Sequence, residues 1–228
     1  MQPQTPGRTR FRTRVDAGRQ LAAHLIAFAH DPDVRVLGLP RGGVPVAYEV
    51  ATALHAPLDI LLVRKLGVPR EPELAMGAIA TGGIRVLNSD VVRMLGIPDD
   101  VIETVTRGEQ RELTRREHLY RGERQLLDLR GRTVILVDDG IATGATQRAA
   151  VVAARRLGTS RCIVAAPVTA TATYNALHAE GIEVISVLMP RELYAIGLWY
   201  EEFPQTTDTE VRQLLDSAWQ AQNLVPHQ

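Results

Sequence analysis

The sequence predicts an α/β fold: a doubly wound, mainly parallel sheet with a small hood from the terminal segments. Three observations carry that expectation. Short runs rich in β-branched residues alternate with stretches of helical periodicity between about residues 34 and 190. Several of these runs end in glycines or paired charges and lead into a helix, as parallel crossovers do. The length, 228 residues, suits one such domain with a sizeable core and would cramp two. The expected organisation is a flexible tail over 1–14 and one domain over 15–228, with its core at about 34–190 and a C-terminal hood and helix over 190–228.

After the tail, residues 17–29 place Leu21, Leu25 and Phe28 at helical spacing, with Asp16 as N-cap. Residues 34–39 form a short apolar strand that ends in Pro40-Arg41-Gly42-Gly43, and 46–54 read as the helix that follows. A second buried strand spans 58–63 and closes on Arg64-Lys65, which makes a right-handed parallel unit. Gly67, Pro69 and Pro72 predict a mobile loop over 65–73. Residues 75–80 and 84–87 flank Thr81-Gly82-Gly83 as a hairpin. Residues 98–124 read as a charged helix in which Glu103–Arg107, Glu112–Arg116 and Glu117–Arg121 are spaced for ion pairing on a solvated face. The clearest strand is 133–137, followed by Asp138-Asp139-Gly140 and a helix over 143–157. A strand at 161–168, a helix about 174–179, a strand at 182–188 and a short amphipathic helix near 211–219 complete the pattern.

Lys plus Arg equals Asp plus Glu, 26 each, so no global field favours nucleic acid or an anionic membrane. An anion site must therefore be local. No run approaches the roughly 20 apolar residues of a membrane helix, and residues 1–14 hold four arginines but no apolar block of a secretory signal. A soluble, cytoplasmic protein is expected. Cys162 is the single cysteine and sits in an apolar run, which reads as a buried core residue.

Ligands of a parallel sheet bind beyond the carboxyl ends of its strands. Three predicted tips carry unusual residues there: Arg41-Gly42-Gly43, Arg64-Lys65 and Asp138-Asp139. The turn Ala142-Thr143-Gly144-Ala145-Thr146 opens a helix, where free backbone amides and the helix dipole favour a phosphate. Carboxylates repel phosphate, but they accept hydrogen bonds from sugar hydroxyls or hold hydrated Mg²⁺. An acid pair beside a phosphate cradle points to a sugar phosphate. The chain has no G-x-x-x-x-G-K-[ST] motif, so a P-loop ATPase does not fit, and the Rossmann glycine spacing is also missing. A phospho-acceptor receiver domain would need a further aspartate where Leu188-Met189-Pro190 stands.

The segment 134–146, Val-Ile-Leu-Val-Asp-Asp-Gly-Ile-Ala-Thr-Gly-Ala-Thr, resembles the signature of the type I phosphoribosyltransferases. Pro40-Arg41-Gly42-Gly43 resembles that family's pyrophosphate loop, and Arg64-Lys65 the basic residues before its flexible loop. From Phe11 to about Leu215 the chain is similar to a bacterial group of predicted phosphoribosyltransferases. The resemblance implies that phosphoribosyl pyrophosphate is the donor. Residues 142–146 would clasp its 5′-phosphate. Asp138 and Asp139 would hold the ribose hydroxyls and Mg²⁺, through water or those hydroxyls. Arg41, Gly42, Gly43, Arg64 and Lys65 would attend the pyrophosphate, and closure of 66–77 would exclude water. A homodimer is common in the family.

Relatives acting on 6-oxopurines carry an aspartate where this chain has Ala142, which is closer to the adenine-type pattern. Tyr194, Trp199 and Tyr200 could form a stacking hood over an aromatic acceptor. Two functions follow: transfer of the phosphoribosyl group to a nitrogenous base, a purine among them, or a non-catalytic sensor of the donor or a nucleotide.

Overall fold

The computed structural model describes residues 10–69 and 71–223. Residues 1–9 of the expected tail over 1–14, residue 70 of the expected mobile loop and residues 224–228 of the C-terminal segment lie outside them. In chain order the elements are α1 (Arg14–His24), β1 (Val34–Gly38), α2 (Gly43–Leu54), β2 (Leu58–Ile60), β3 (Val63–Val68), β4 (Glu71–Ala80), β5 (Ile84–Leu87), α3 (Ser89–Leu95), α4 (Asp99–Arg121), β6 (Thr133–Val137), α5 (Ala145–Arg156), β7 (Arg161–Val168), α6 (Thr171–Ala179), β8 (Glu183–Leu188) and α7 (Asp208–Asn223). A five-stranded parallel sheet runs β2-β1-β6-β7-β8, and a three-stranded antiparallel sheet runs β3-β4-β5.

Both faces of the parallel sheet are covered, which explains why its strands read as continuous apolar runs. Val34, Val36, Ile135, Val137, Ile163 and Ala165 face a core built with α1, α2, α4 and α7. The alternate residues, among them Leu37, Val134, Leu136, Val164 and Ala166, face a second core closed by α5 and α6. Cys162 belongs to this second core, and burial pushes its thiol up to about 12.

Four expectations meet a different structure. The run 58–63 is not one strand: Leu58–Ile60 pairs with β1, whereas Val63 pairs with Ala80 of β4, so the backbone changes sheets within an unbroken apolar stretch. Residues 65–68 are not loop. They continue β3 against β4, with register shifts at Leu66/Gly67 and Gly67/Val68 that absorb the glycine the sequence offers as a strand breaker. The end of the tail is anchored: Phe11 is buried, its amide donates to the Trp199 carbonyl at 2.9 Å, and its carbonyl accepts from Glu201 N at 2.8 Å. The N-cap of α1 is therefore Thr13, whose side chain accepts from the amide of Asp16. On α4, Glu112–Arg116 and Glu117–Arg121 pair as expected, but Glu103 turns to Arg85 of β5, and Arg121 is buried against Asp59.

Candidate active site

β1 and β6 are neighbours whose chains then depart in opposite directions, β1 through α2 to β2 and β6 through α5 to β7. The crevice at such a switch point is where an open α/β sheet binds its ligands. Candidates 40–43 leave the tip of β1 and candidates 138–146 leave the tip of β6, so the topology brings the two groups together. The approach is close. A Cβ on Gly42 would lie 2.0 Å from Asp139 Oδ2, and one on Gly43 would lie 2.5 Å from the Val137 carbonyl. Only glycine lets the loop lie against the acid pair.

Each carboxylate of the pair is held by a different group. Asp138 Oδ1 accepts from the Asp139 amide at 2.9 Å and Oδ2 from Gln147 Nε2 at 2.7 Å. Asp139 Oδ2 accepts from Arg14 Nε at 2.9 Å and lies 2.8 Å from Arg14 Nη2, while the Asp139 carbonyl accepts from the Tyr200 hydroxyl at 2.6 Å. Asp138 keeps some accessible surface, yet protein surrounds its carboxyl group. Burial raises its pKa well above the usual carboxylate range, and the Asp139 charge raises it further. Burial also raises Asp139, against the opposing pull of Arg14. Two acids in one buried turn thus share an unfavourable environment that an incoming donor or cation would relieve.

A cavity of about 550 Å³ opens beside this turn, lined by Arg14, Arg41, Gly42 and Asp139 on one side and by Ile196 and Phe203 on the other. Arg41 lies 3.8 Å from Asp208 at the start of α7, and Asp208 accepts from the buried Tyr120 hydroxyl of α4 at 2.6 Å. A comparable groove of about 580 Å³ near Arg121, Arg124 and Arg212 holds none of the candidate residues.

The expected phosphate cradle follows directly along the same turn. Gly144, at φ +76°, caps α5 and is buried, with Thr173 and Arg148 packed where a Cβ would stand, while Ala142, Thr143, Ala145 and Thr146 are exposed. The first-turn amides of a helix have no partner within it. The carbonyls of the turn are engaged from behind: Thr173 donates to that of Ala142, and Arg148 Nη1 to that of Thr143 at 2.9 Å.

Of the expected site residues, Arg41, Gly42 and Asp139 line the cavity; Gly43, Asp138 and the turn 142–146 lie outside its lining, and so do Arg64 and Lys65. Arg64 is ion-paired with Glu109 of α4, and Lys65 is exposed on β3. The aromatic hood differs from expectation as well. Trp199 and Tyr200 are buried in a cluster with Phe11, and Tyr194 is 78% exposed, its hydroxyl on Glu192. The ring at the cavity is Phe203, with the Arg14 guanidinium 3.7 Å from its centroid. Arg14, Gln147 and Phe203 are site residues that the sequence reading missed. Only Gln147 left a signal, one helical turn beyond Thr143 and so on the face of α5 nearest the strand tip. Among the described residues no group of three or more His, Cys, Asp or Glu side chains is placed to hold a metal ion. No helix among them is long and apolar enough to cross a membrane.

A family model described as phosphoribosyl transferase domain matches residues 12–188. Two Mycobacterium tuberculosis proteins, from strains CDC 1551 and H37Rv and each provisionally named a phosphoribosyl transferase, are 47% identical to this chain over 208 residues. The alignment covers 91% of this chain and 47% of theirs, so the chain spans about half the length of these curated relatives. Among solved structures, TT1426 from Thermus thermophilus is 39% identical with a TM-score of 0.80, covering 90% of this chain and 97% of that one. The AQ2163 protein of Aquifex aeolicus, 10% identical with a TM-score of 0.50, shares the fold over 89% of this chain and 85% of its own.

Proposed function

The chain belongs to the phosphoribosyl transferase domain family, and from that premise we propose that it binds phosphoribosyl pyrophosphate with Mg²⁺ and transfers the phosphoribosyl group to a nitrogenous base. One observation carries the reading: the acid pair and the open helix-capping turn are consecutive at one strand tip, with the glycine loop of the neighbouring strand pressed against the acids. The amides of 143–146 and the hydroxyls of Thr143 and Thr146 would take the 5′-phosphate. Asp138 and Asp139 would accept from the ribose hydroxyls and stabilise the positive charge that grows on the sugar. Arg41 and the loop amide at Gly42 would receive the pyrophosphate as the anomeric C–O bond breaks, while a bond forms to the acceptor nitrogen, which sheds its proton; the Gly43 amide is engaged by the Leu39 carbonyl at 3.1 Å, and Gly43 serves by its lack of a side chain.

Mg²⁺ would supply charge neutralisation of the leaving pyrophosphate. The residues fit a cation carried by donor oxygens, with Asp138 and Asp139 reaching it through water or ribose hydroxyls, and do not form a metal cage of their own. Lys65 and the 66–77 ribbon enter the site only if the ribbon moves over the crevice.

A second reading, a sensor that binds the donor or a nucleotide without turnover, is favoured by one observation: Arg64 is committed to Glu109 and away from the cavity. Pyrophosphate release with Mg²⁺, the donor and a panel of purines and pyrimidines tests the pair. Release with at least one base supports the enzyme. Silence across the panel with donor binding retained supports the sensor, and absence of donor binding defeats both.

A further inference from the structure

Arg14 comes from the stretch whose composition suggests a frayed basic tail, yet it is among the most constrained side chains at the crevice. Its Nε and Nη2 both meet Asp139 Oδ2, at 2.9 and 2.8 Å, and its Nη1 donates to the Pro204 carbonyl at 2.6 Å. The Phe203 ring covers one face of the guanidinium at 3.7 Å, and the side chain is only 10% exposed. The backbone around it is equally tied, since Phe11 and Arg12 exchange main-chain bonds with the 199–202 segment and Thr13 caps the helix that Arg14 begins. An arginine held by three partners on a tethered backbone is a fixed part of the site and not a mobile latch.

The fork of Arg14 uses one oxygen of Asp139 and leaves Oδ1 as the oxygen to be offered to a ligand. A divalent cation binding directly at Oδ2 would have to displace the guanidinium from all of these partners.

From this geometry we infer that Arg14 is a positioning residue of the donor site: it holds Asp139 so that Oδ1 accepts from a ribose hydroxyl, and it keeps Oδ2 from serving as a direct metal ligand. The inference rests on the donor-binding reading above and adds to it a residue from the N-terminal segment. It also makes the site dependent on two stretches far apart in sequence, 11–14 and 199–204, which meet through Arg14, Phe203 and Pro204.

The experiment is calorimetric titration of phosphoribosyl pyrophosphate with Mg²⁺ into the 228-residue chain and into Arg14→Gln, Arg14→Gly and Phe203→Leu, each checked for native circular dichroism. Arg14→Gln should weaken donor binding at least tenfold, and Phe203→Leu severalfold in the same direction. Added guanidinium ion should recover part of the affinity of Arg14→Gly, which a merely structural role would not produce. Manganese(II) alone, followed by its electron paramagnetic resonance signal, should stay unbound to the wild-type chain. Wild-type donor affinity in a folded Arg14→Gln overturns the inference, and so does manganese binding that Asp139→Asn abolishes. If Arg14→Gln does not fold, Phe203→Leu decides, and unchanged affinity there counts against the proposal. Failure of the wild-type chain to bind donor is a different result, because it removes the donor reading itself.

Discussion

Two buried aspartate–arginine pairs in this chain use the same chemistry for opposite ends. Asp59 and Arg121, 1% and 6% exposed, join the middle of β2, an edge strand of the parallel sheet, to the last turn of α4. Asp59 Oδ1 accepts from Arg121 Nε at 2.8 Å and from the Ile60 amide at 2.7 Å, Oδ2 accepts from the Leu127 amide at 3.2 Å, and Arg121 also reaches the Ile60 carbonyl and Glu117. Every oxygen is served within the protein. Asp139 and Arg14 are also largely buried, but the pair borders a cavity, a second carboxylate stands next to it, and no glycine-loop side chain fills the space above it. A saturated buried ion pair braces a fold, whereas one that leaves an acceptor open beside a like charge is arranged for a ligand.

The contrast is broken or sharpened most strongly by Arg121→Met. It strands the Asp59 charge and should cost about 3–5 kcal/mol in chemical denaturation, with pyrophosphate release per folded molecule unchanged; a loss of specific activity would make this pair part of the site. Asp138→Asn should do the reverse, cutting turnover by about 10²–10³-fold while leaving the melting temperature equal or higher. Gly42→Ala introduces a methyl group into the 2.0 Å approach to Asp139 Oδ2 and should weaken donor affinity by roughly tenfold, read by titration against an unchanged circular dichroism spectrum. The smallest effect is on pH dependence. Because the pKa values of Asp138 and Asp139 are raised in the folded state, the stability linked to them is full below the unfolded carboxylate value of about 4 and is lost as pH rises through the raised values. Melting curves of the ligand-free protein should therefore show a downward contribution above about pH 4 that is reduced in Asp138→Asn. A slope unchanged by the substitution would place the titrating group elsewhere.

The legible and illegible parts of the site divide by sequence distance. The run 134–146 could be read directly because strand, acid pair and phosphate turn are contiguous, and each residue type has a local reason to be there. Gly42 and Gly43 could be read as a turn, but not as the surface against which Asp139 lies, because that contact joins the tips of two strands nearly a hundred residues apart. Arg121 shows the limit of charge spacing. It pairs with Glu117 as the helix period predicts, yet its stronger partner is Asp59, 62 positions away, so a solvated face became a buried one. The 65–68 stretch differs from expectation for another reason: Gly67 and the nearby prolines signal a loop locally, but cross-strand bonds and bulges hold it in a ribbon with β4.

By itself the sequence determined the alternation of strands and helices, the parallel sheet, and the placing of an acid pair and a helix-opening turn at the tip of β6, because those features follow from local periodicity and from residues adjacent along the chain. Tertiary structure alone decided that the N-terminal segment reaches Asp139 through Arg14, that Phe203 is the ring at the cavity, and that Arg64 faces α4. Those outcomes depend on which distant groups compete for the same partner in space, and a one-dimensional pattern holds no record of that competition.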